Sequence, residues 1–265
     1  LQQDDGSILS GYDEGGNMMA PITEGMIDCY NAVLGYDDFH GKLLNYLENE
    51  RYDSENNIIF DCKNTIENEN IDIASLAGVN AVINLAGAGV GDKRWTSLYK
   101  NEILNSRVSS TRTIAKAVEE LKPDVFISAS AIGWYGETGD RAVTEADRGG
   151  DDFLAGVCEQ WEAAADLAPS VRTVKMRIGV IPDPTGGALG KMLPLFKFGV
   201  GGKLGSGKQW WSWITLHDQI RAIQFLIDSD LSGAVNTTAP NPATNSEFTA
   251  ALARGLHRPA LLPVP

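Results

Sequence analysis

The chain has 265 residues, 43% of them hydrophobic, enough to bury a full core in one large domain or two small ones. Its net charge of −13, from 35 acidic against 22 basic side chains, argues against a nucleic-acid or anionic-membrane surface, because phosphate binding needs concentrated Lys and Arg. The three cysteines, Cys29, Cys62 and Cys158, are odd in number and form no CxxC pair, so no metal site and no disulfide framework is expected, and a reducing cytoplasm is.

Residues 1–28 are polar and acidic with no sustained apolar period, and are read as an extension without assigned function. The start Leu1-Gln-Gln-Asp-Asp5 lacks the basic opening of a signal peptide, and the absence of an initiator Met suggests a fragment of something longer. No apolar run reaches the roughly 18 residues of a membrane span. From Cys29 a pattern emerges, with Ala32-Val-Leu34 as a strand, Gly35 as its turn and Lys42–Leu47 as the first turns of a helix. After a charged loop over Glu48–Asn57, Ile58-Ile-Phe60 forms a short strand.

The next strand, Asn80-Ala-Val-Ile-Asn-Leu-Ala-Gly87, is apolar and ends in small residues. Between Trp95 and Leu121, positions Leu104, Val108, Thr111, Ala115 and Val118 recur at spacings of four and three, which predicts a helix with one buried face. Val125, Phe126 and Ile127 then form a buried-type strand, and Ser128 and Ser130 follow at period two, so both hydroxyls leave its carboxyl end on one face. Strand, helix, strand is a βαβ unit with a right-handed crossover, and ligands of such sheets sit at the strand ends.

A charged loop leads to a helix over Asp152–Leu167 containing Trp161 and Glu162, and to an apolar strand over Val171–Ile181. The glycine-rich stretch 186–208, with the amphipathic piece Met192–Phe198, is expected to be a mobile loop covering a substrate cleft. Trp210, Trp211 and Trp213 suit stacking on a flat ligand or packing of the lobe equally. A helix over Thr215–Asp228, capped by Thr215 or Asp218, carries His217, read as structural rather than as a general base. Ala234-Val-Asn236 is the last sheet strand and Asn245–Leu256 the last helix.

In their order along the chain, Asn84-Leu-Ala-Gly87, Lys93-Arg-Trp95, Ser106-Arg107, Ser128-Ala-Ser130 with Tyr135-Gly136, Trp161-Glu162, and Gly201-Gly202 through Gly205-Ser-Gly207 to Trp213-Ile214 resemble the atypical extended short-chain dehydrogenase/reductases. These are the epimerase-family, or nucleoside-diphosphate-sugar epimerase-like, proteins. The resemblance covers Asn57–Pro265 and is poor upstream.

It implies an α/β fold with a Rossmann-like doubly wound parallel sheet, a dinucleotide-binding part at 29–181 and a smaller C-terminal substrate lobe at 182–265 that family members extend by a further helical segment. It implies NADP as cofactor, with NAD possible, and contacts from Leu85, Ala86, Gly87, Glu102, Arg107, Ser128 and Ile181. A surface ion pair between Glu102 and Arg107 is the alternative for those two. The GxxGxxG turn that approaches a pyrophosphate reads Gly35-Tyr-Asp-Asp-Phe-His-Gly41 here, with Asp38 at the middle glycine. Weakened affinity, a shifted alignment and lost binding all fit that carboxylate. The family's Tyr-x-x-x-Lys pair, which moves the substrate proton, falls on Leu154 and Cys158. Ser130 and Tyr135 are left as catalytic candidates. The expected function is an NAD(P)-binding oxidoreductase or epimerase-like protein acting on a small molecule, and the alternative is a non-catalytic, redox-sensing dinucleotide binder.

Overall fold

The computed structural model describes residues 58–60, 73, 78–184 and 186–260. The extension 1–28, the strand and helix expected over 32–47 with Gly35, Asp38 and Gly41, and residues 261–265 lie outside the described residues.

Five strands form one sheet in the order β1-β2-β3-β4-β6: β1 (Ile58–Phe60), β2 (Ala81–Asn84), β3 (Val125–Ala131), β4 (Thr173–Ile178) and β6 (Gly233–Thr237). Every neighbouring pair is parallel, so each connection crosses over through a helix or a long segment. The strands alternate between two apolar layers. Val82 and Phe126 pack with Ile114, Ala115 and Val118 of α1 (Ser97–Leu121) and Ala165 of α2 (Phe153–Ala165). Ile83, Ile127, Val174 and Met176 pack on the other face with Ile220, Ile223 and Leu226 of α4 (Leu216–Asp228). Helices on both faces of a parallel sheet make this the doubly wound α/β fold that the sequence predicts.

Local chemistry sets the boundaries. The Thr96 side chain accepts from the Tyr99 N–H, so α1 begins at Ser97 rather than Trp95. Asp152 caps α2 through the Ala155 N–H. Strand β4 ends at Ile178, short of the expected Ile181, because Val180 leaves to bridge Trp213 and Ile214. The loop expected over 186–208 is corrected in its first half, where α3 (Gly187–Lys197) forms despite Pro194. Its Phe196 is buried against the backbone of Gly201, and that burial outweighs the poor helix propensity of the glycines. A two-stranded antiparallel ribbon, β5 (Trp210–Trp211) with β7 (Ala243–Thr244), leads into α5 (Asn245–Leu256), which opens on a capping box between Thr244 and Glu247. Among the described residues no helix is long and apolar enough to cross a membrane.

Candidate functional site

Register aligns the polar residues at the carboxyl edge of the sheet. Asn84 faces Ser128, Ser130 faces Arg177, and Arg177 faces Asn236, so these side chains from four strands share the face that α1 and α2 cover. The Asn84 amide donates to Thr111 Oγ1 at 2.8 Å, and the Trp161 indole donates to the same oxygen at 2.9 Å. Asn84 Oδ1 accepts from the Ala86 N–H at 3.1 Å, and the Ala88 N–H is taken by Ser106 Oγ at 3.0 Å. The exit turn Leu85-Ala-Gly87 is therefore held from both sides.

Arg107 lies against that turn. A Cβ at position 87 would stand 2.9 Å from Arg107 Cζ, so only glycine lets the guanidinium lie there. The guanidinium donates to the Ile103 carbonyl at 3.0 Å and sits 5.1 Å from the centre of the Trp161 ring. It forms no ion pair among the described residues, and Glu102, five positions away, is engaged by Lys93 at 3.1 Å instead. Burial pushes Arg107 down to about 10, which still leaves it a cation at neutral pH.

A second arginine is satisfied on every side. Arg177 donates from Nε to Glu162 Oε1 at 2.8 Å and from Nη2 to Oε2 at 3.0 Å, a bidentate pair with both side chains buried. Ser130 Oγ donates to Glu162 Oε1 at 2.7 Å. Arg177 Nη1 donates to the Tyr135 hydroxyl at 3.0 Å, which in turn donates to Asn236 Oδ1 at 2.7 Å. The Asn236 N–H continues the chain to Glu145 at 2.8 Å, and the Trp134 ring lies 4.0 Å from Arg177 Cζ. Desolvation opposes the charge on Arg177, but the hydrogen bonds and charge of Glu162, joined by Tyr135, outweigh it and hold its pKa above the ordinary value.

Both candidate catalytic hydroxyls, Ser130 and Tyr135, thus belong to one network, with a cation beside Tyr135 that sequence reading did not find. The signal was Lys175 and Arg177 at period two in an otherwise apolar strand, since a basic residue in a buried strand demands a carboxylate. Cys158 contacts the Ala131 carbonyl at 3.7 Å, and burial pushes its thiol up to about 11, so it is protonated and unreactive at neutral pH. Ser128 is buried, its hydroxyl 3.4 Å from the Ala129 carbonyl, and Ile181 is half-buried with its carbonyl accepting from the Asp183 N–H. Trp210 donates to Asp140, Trp211 packs on Phe248 with ring centres 4.7 Å apart, and Trp213 donates to the Asn241 carbonyl, so all three are occupied within the protein. His217 is exposed beside Asp218.

The model of the NAD dependent epimerase/dehydratase family matches residues 40–152, extending upstream of Asn57. An epimerase family protein of Mycobacterium bovis is 44% identical over 202 residues, covering 75% of this chain and 67% of that one. The crystal structure of the human epimerase family protein SDR39U1 with NADPH superposes with a TM-score of 0.67 at 34% identity, over 70% of this chain and 65% of that one. A nucleoside-diphosphate sugar epimerase from Corynebacterium glutamicum superposes with a TM-score of 0.59 at 36% identity, over 74% of this chain and 43% of that one. The chain spans about two thirds of the length of the first two relatives.

Proposed function

Since this chain belongs to the epimerase family, we propose that it holds a nicotinamide dinucleotide, NADP in preference to NAD, across the carboxyl ends of β2 and β3. On this reading it is an NAD(P)-binding oxidoreductase or epimerase-like protein acting on a small carbonyl or sugar-nucleotide substrate. The observation that carries the reading is Arg107, a desolvated guanidinium pressed on Gly87 without a carboxylate among the described residues. Such a cation is completed by an anion, and a dinucleotide brings phosphates to that strand end. Leu85, Ala86 and Gly87 would approach it through backbone, Arg107 and Glu102 from α1, Ser128 from β3 and Ile181 beyond β4, with Gly35 and Gly41 at the first turn. The human relative solved with NADPH supports the choice of NADP.

The bound cofactor would supply hydride transfer; the protein supplies placement and any proton. Ser130 and Tyr135 are the groups for the proton, held in place by Glu162, Arg177 and Asn236. The same reading assigns 29–181 to dinucleotide binding and 182–265 to substrate, in the cytoplasm, with no nucleic-acid or membrane partner. Calorimetric titration with NADPH and NADH tests it. Saturable NADPH binding, weaker NADH binding and a roughly ten- to hundredfold weakening of both in Arg107→Met are expected; no binding of either cofactor by the wild type sinks the proposal.

One observation favours a second reading, a dinucleotide-binding protein without turnover. The Ser130 hydroxyl is given to Glu162 and that of Tyr135 to Asn236, while Leu154 and the protonated Cys158 offer no replacement. Tight NADPH binding with no oxidation across a panel of carbonyl and sugar-nucleotide substrates would select this reading, and any turnover would eliminate it.

A further inference from the structure

The helix α3 is fastened unequally at its two ends. At its carboxyl end Phe196 is buried, the Lys197 carbonyl accepts from Arg258 Nε at 3.1 Å, and the Val200 N–H returns to the Leu195 carbonyl at 3.0 Å. At its amino end the N-cap is Gly186, which offers no side-chain acceptor, and Gly187 takes a positive φ of 58° that favours glycine. One side chain ties down this end. Lys191 Nζ donates to the Gly91 carbonyl at 2.6 Å and to Asp92 Oδ1 at 2.8 Å, reaching residues about a hundred positions away in sequence.

Topology makes that contact a bridge. Gly91 and Asp92 follow β2, and α3 follows β4; in the sheet β3 lies between them, so the contact spans the strand whose carboxyl end carries Ser128 and Ser130. Pro194 stands between Lys191 and Phe196, where its missing N–H removes the bond to the Gly190 carbonyl and creates a point of bending. The Lys191 and Asp92 side chains are 54% and 52% exposed, so their attraction is weak and screened by salt.

We propose that α3 is a lid over the strand-end cleft, latched by Lys191 on Gly91 and Asp92, and that it opens by bending at Pro194 about the Phe196 anchor. The ligand it covers is the dinucleotide of the preceding section, and to that extent the inference rests on that reading. A latch of two half-exposed groups suits this use, since it must break at every exchange of ligand.

Stopped-flow release of NADPH tests the lid. Lys191→Met and Asp92→Asn are each expected to speed release about two- to fivefold, the range an exposed ion pair supports, with no further gain in the double variant. Lys191→Arg, which still donates to both Gly91 and Asp92, should keep release slow, and salt should speed release more in the wild type than in Lys191→Met. Unchanged release in both single variants overturns the lid. Should the wild type bind no NADPH, the reading of the ligand fails, and amide hydrogen exchange over 188–193 in the free protein decides the latch. Faster exchange in Lys191→Met upholds it, and equal exchange overturns it.

Discussion

Arg107 and Arg177 reach the same carboxyl edge of the sheet, and each lies against a tryptophan ring, Trp161 for one and Trp134 for the other. Their surroundings differ in exposure and in partners, Arg177 being buried and Arg107 half-buried. Arg177 meets a carboxylate on two atoms and a phenol on a third, whereas Arg107 meets one backbone carbonyl. A buried cation that the fold neutralises serves the fold. A half-buried one without a carboxylate among the described residues is, on the reading proposed above, completed by a ligand.

The contrast can be broken most severely at Glu162. Glu162→Gln strands Arg177 in the core and should cost about 3–5 kcal/mol in urea unfolding, whereas replacing Glu162 and Arg177 together by Met should recover most of that loss. Next in size is Cys158, whose thiol is raised by burial and by Glu162 and lowered by Arg107, so it reports on both arginines. Its ordinary value of 9.0 rises to about 11 in the folded chain. The unfolded chain therefore loses this proton first, and stability should fall by about 2–3 kcal/mol as pH rises across that interval. The difference between wild type and Cys158→Ala isolates the effect. In thiol-reactivity profiles, Arg107→Met should move the Cys158 titration up and Glu162→Gln should move it down.

At Arg107 itself, Met keeps the apolar stem and removes the charge. We expect NADPH affinity to fall by about 1.5–3 kcal/mol, roughly ten- to a hundredfold, while thermal stability holds or rises. A loss of stability comparable to that of Glu162→Gln would erase the distinction between the two arginines. The smallest effect belongs to Tyr135→Phe, which leaves Arg177 Nη1 and Asn236 Oδ1 without one partner each and should cost about 1–2 kcal/mol. If turnover is found, abolition of it in this variant with NADPH affinity intact would make Tyr135 the proton donor.

Much of this frame was legible in the sequence. The runs Ala81–Asn84 and Val125–Ile127, with small residues after them, announce strands and their working ends, and the four-and-three spacing over α1 announces the helix between. Capping residues such as Thr96 and Asp152 shift boundaries by a residue or two. The covering stretch reads as a loop, and its helix α3 was not legible. Glycines and Pro194 argue against a helix over 187–197, and only Phe196 finding its place against Gly201 makes one. Nor was the division of roles between the arginines, because Glu162 and Arg177 lie on different elements, and Glu102, the acid nearest Arg107 in sequence, turns to Lys93.

The two bonds that secure Tyr135 and Arg177 enclose very different lengths of chain. Glu162 and Arg177 are 15 residues apart, so their pair closes once α2 and β4 dock, whereas Tyr135 and Asn236 are 101 apart and wait for β6. Loop-closure entropy favours the ion pair as the earlier contact and the phenol bond as the later one. Disrupting the first should slow folding, while disrupting the second should chiefly hasten unfolding. On this expectation β6, the last of the five strands in sequence, governs how long the folded edge survives more than how quickly it is built.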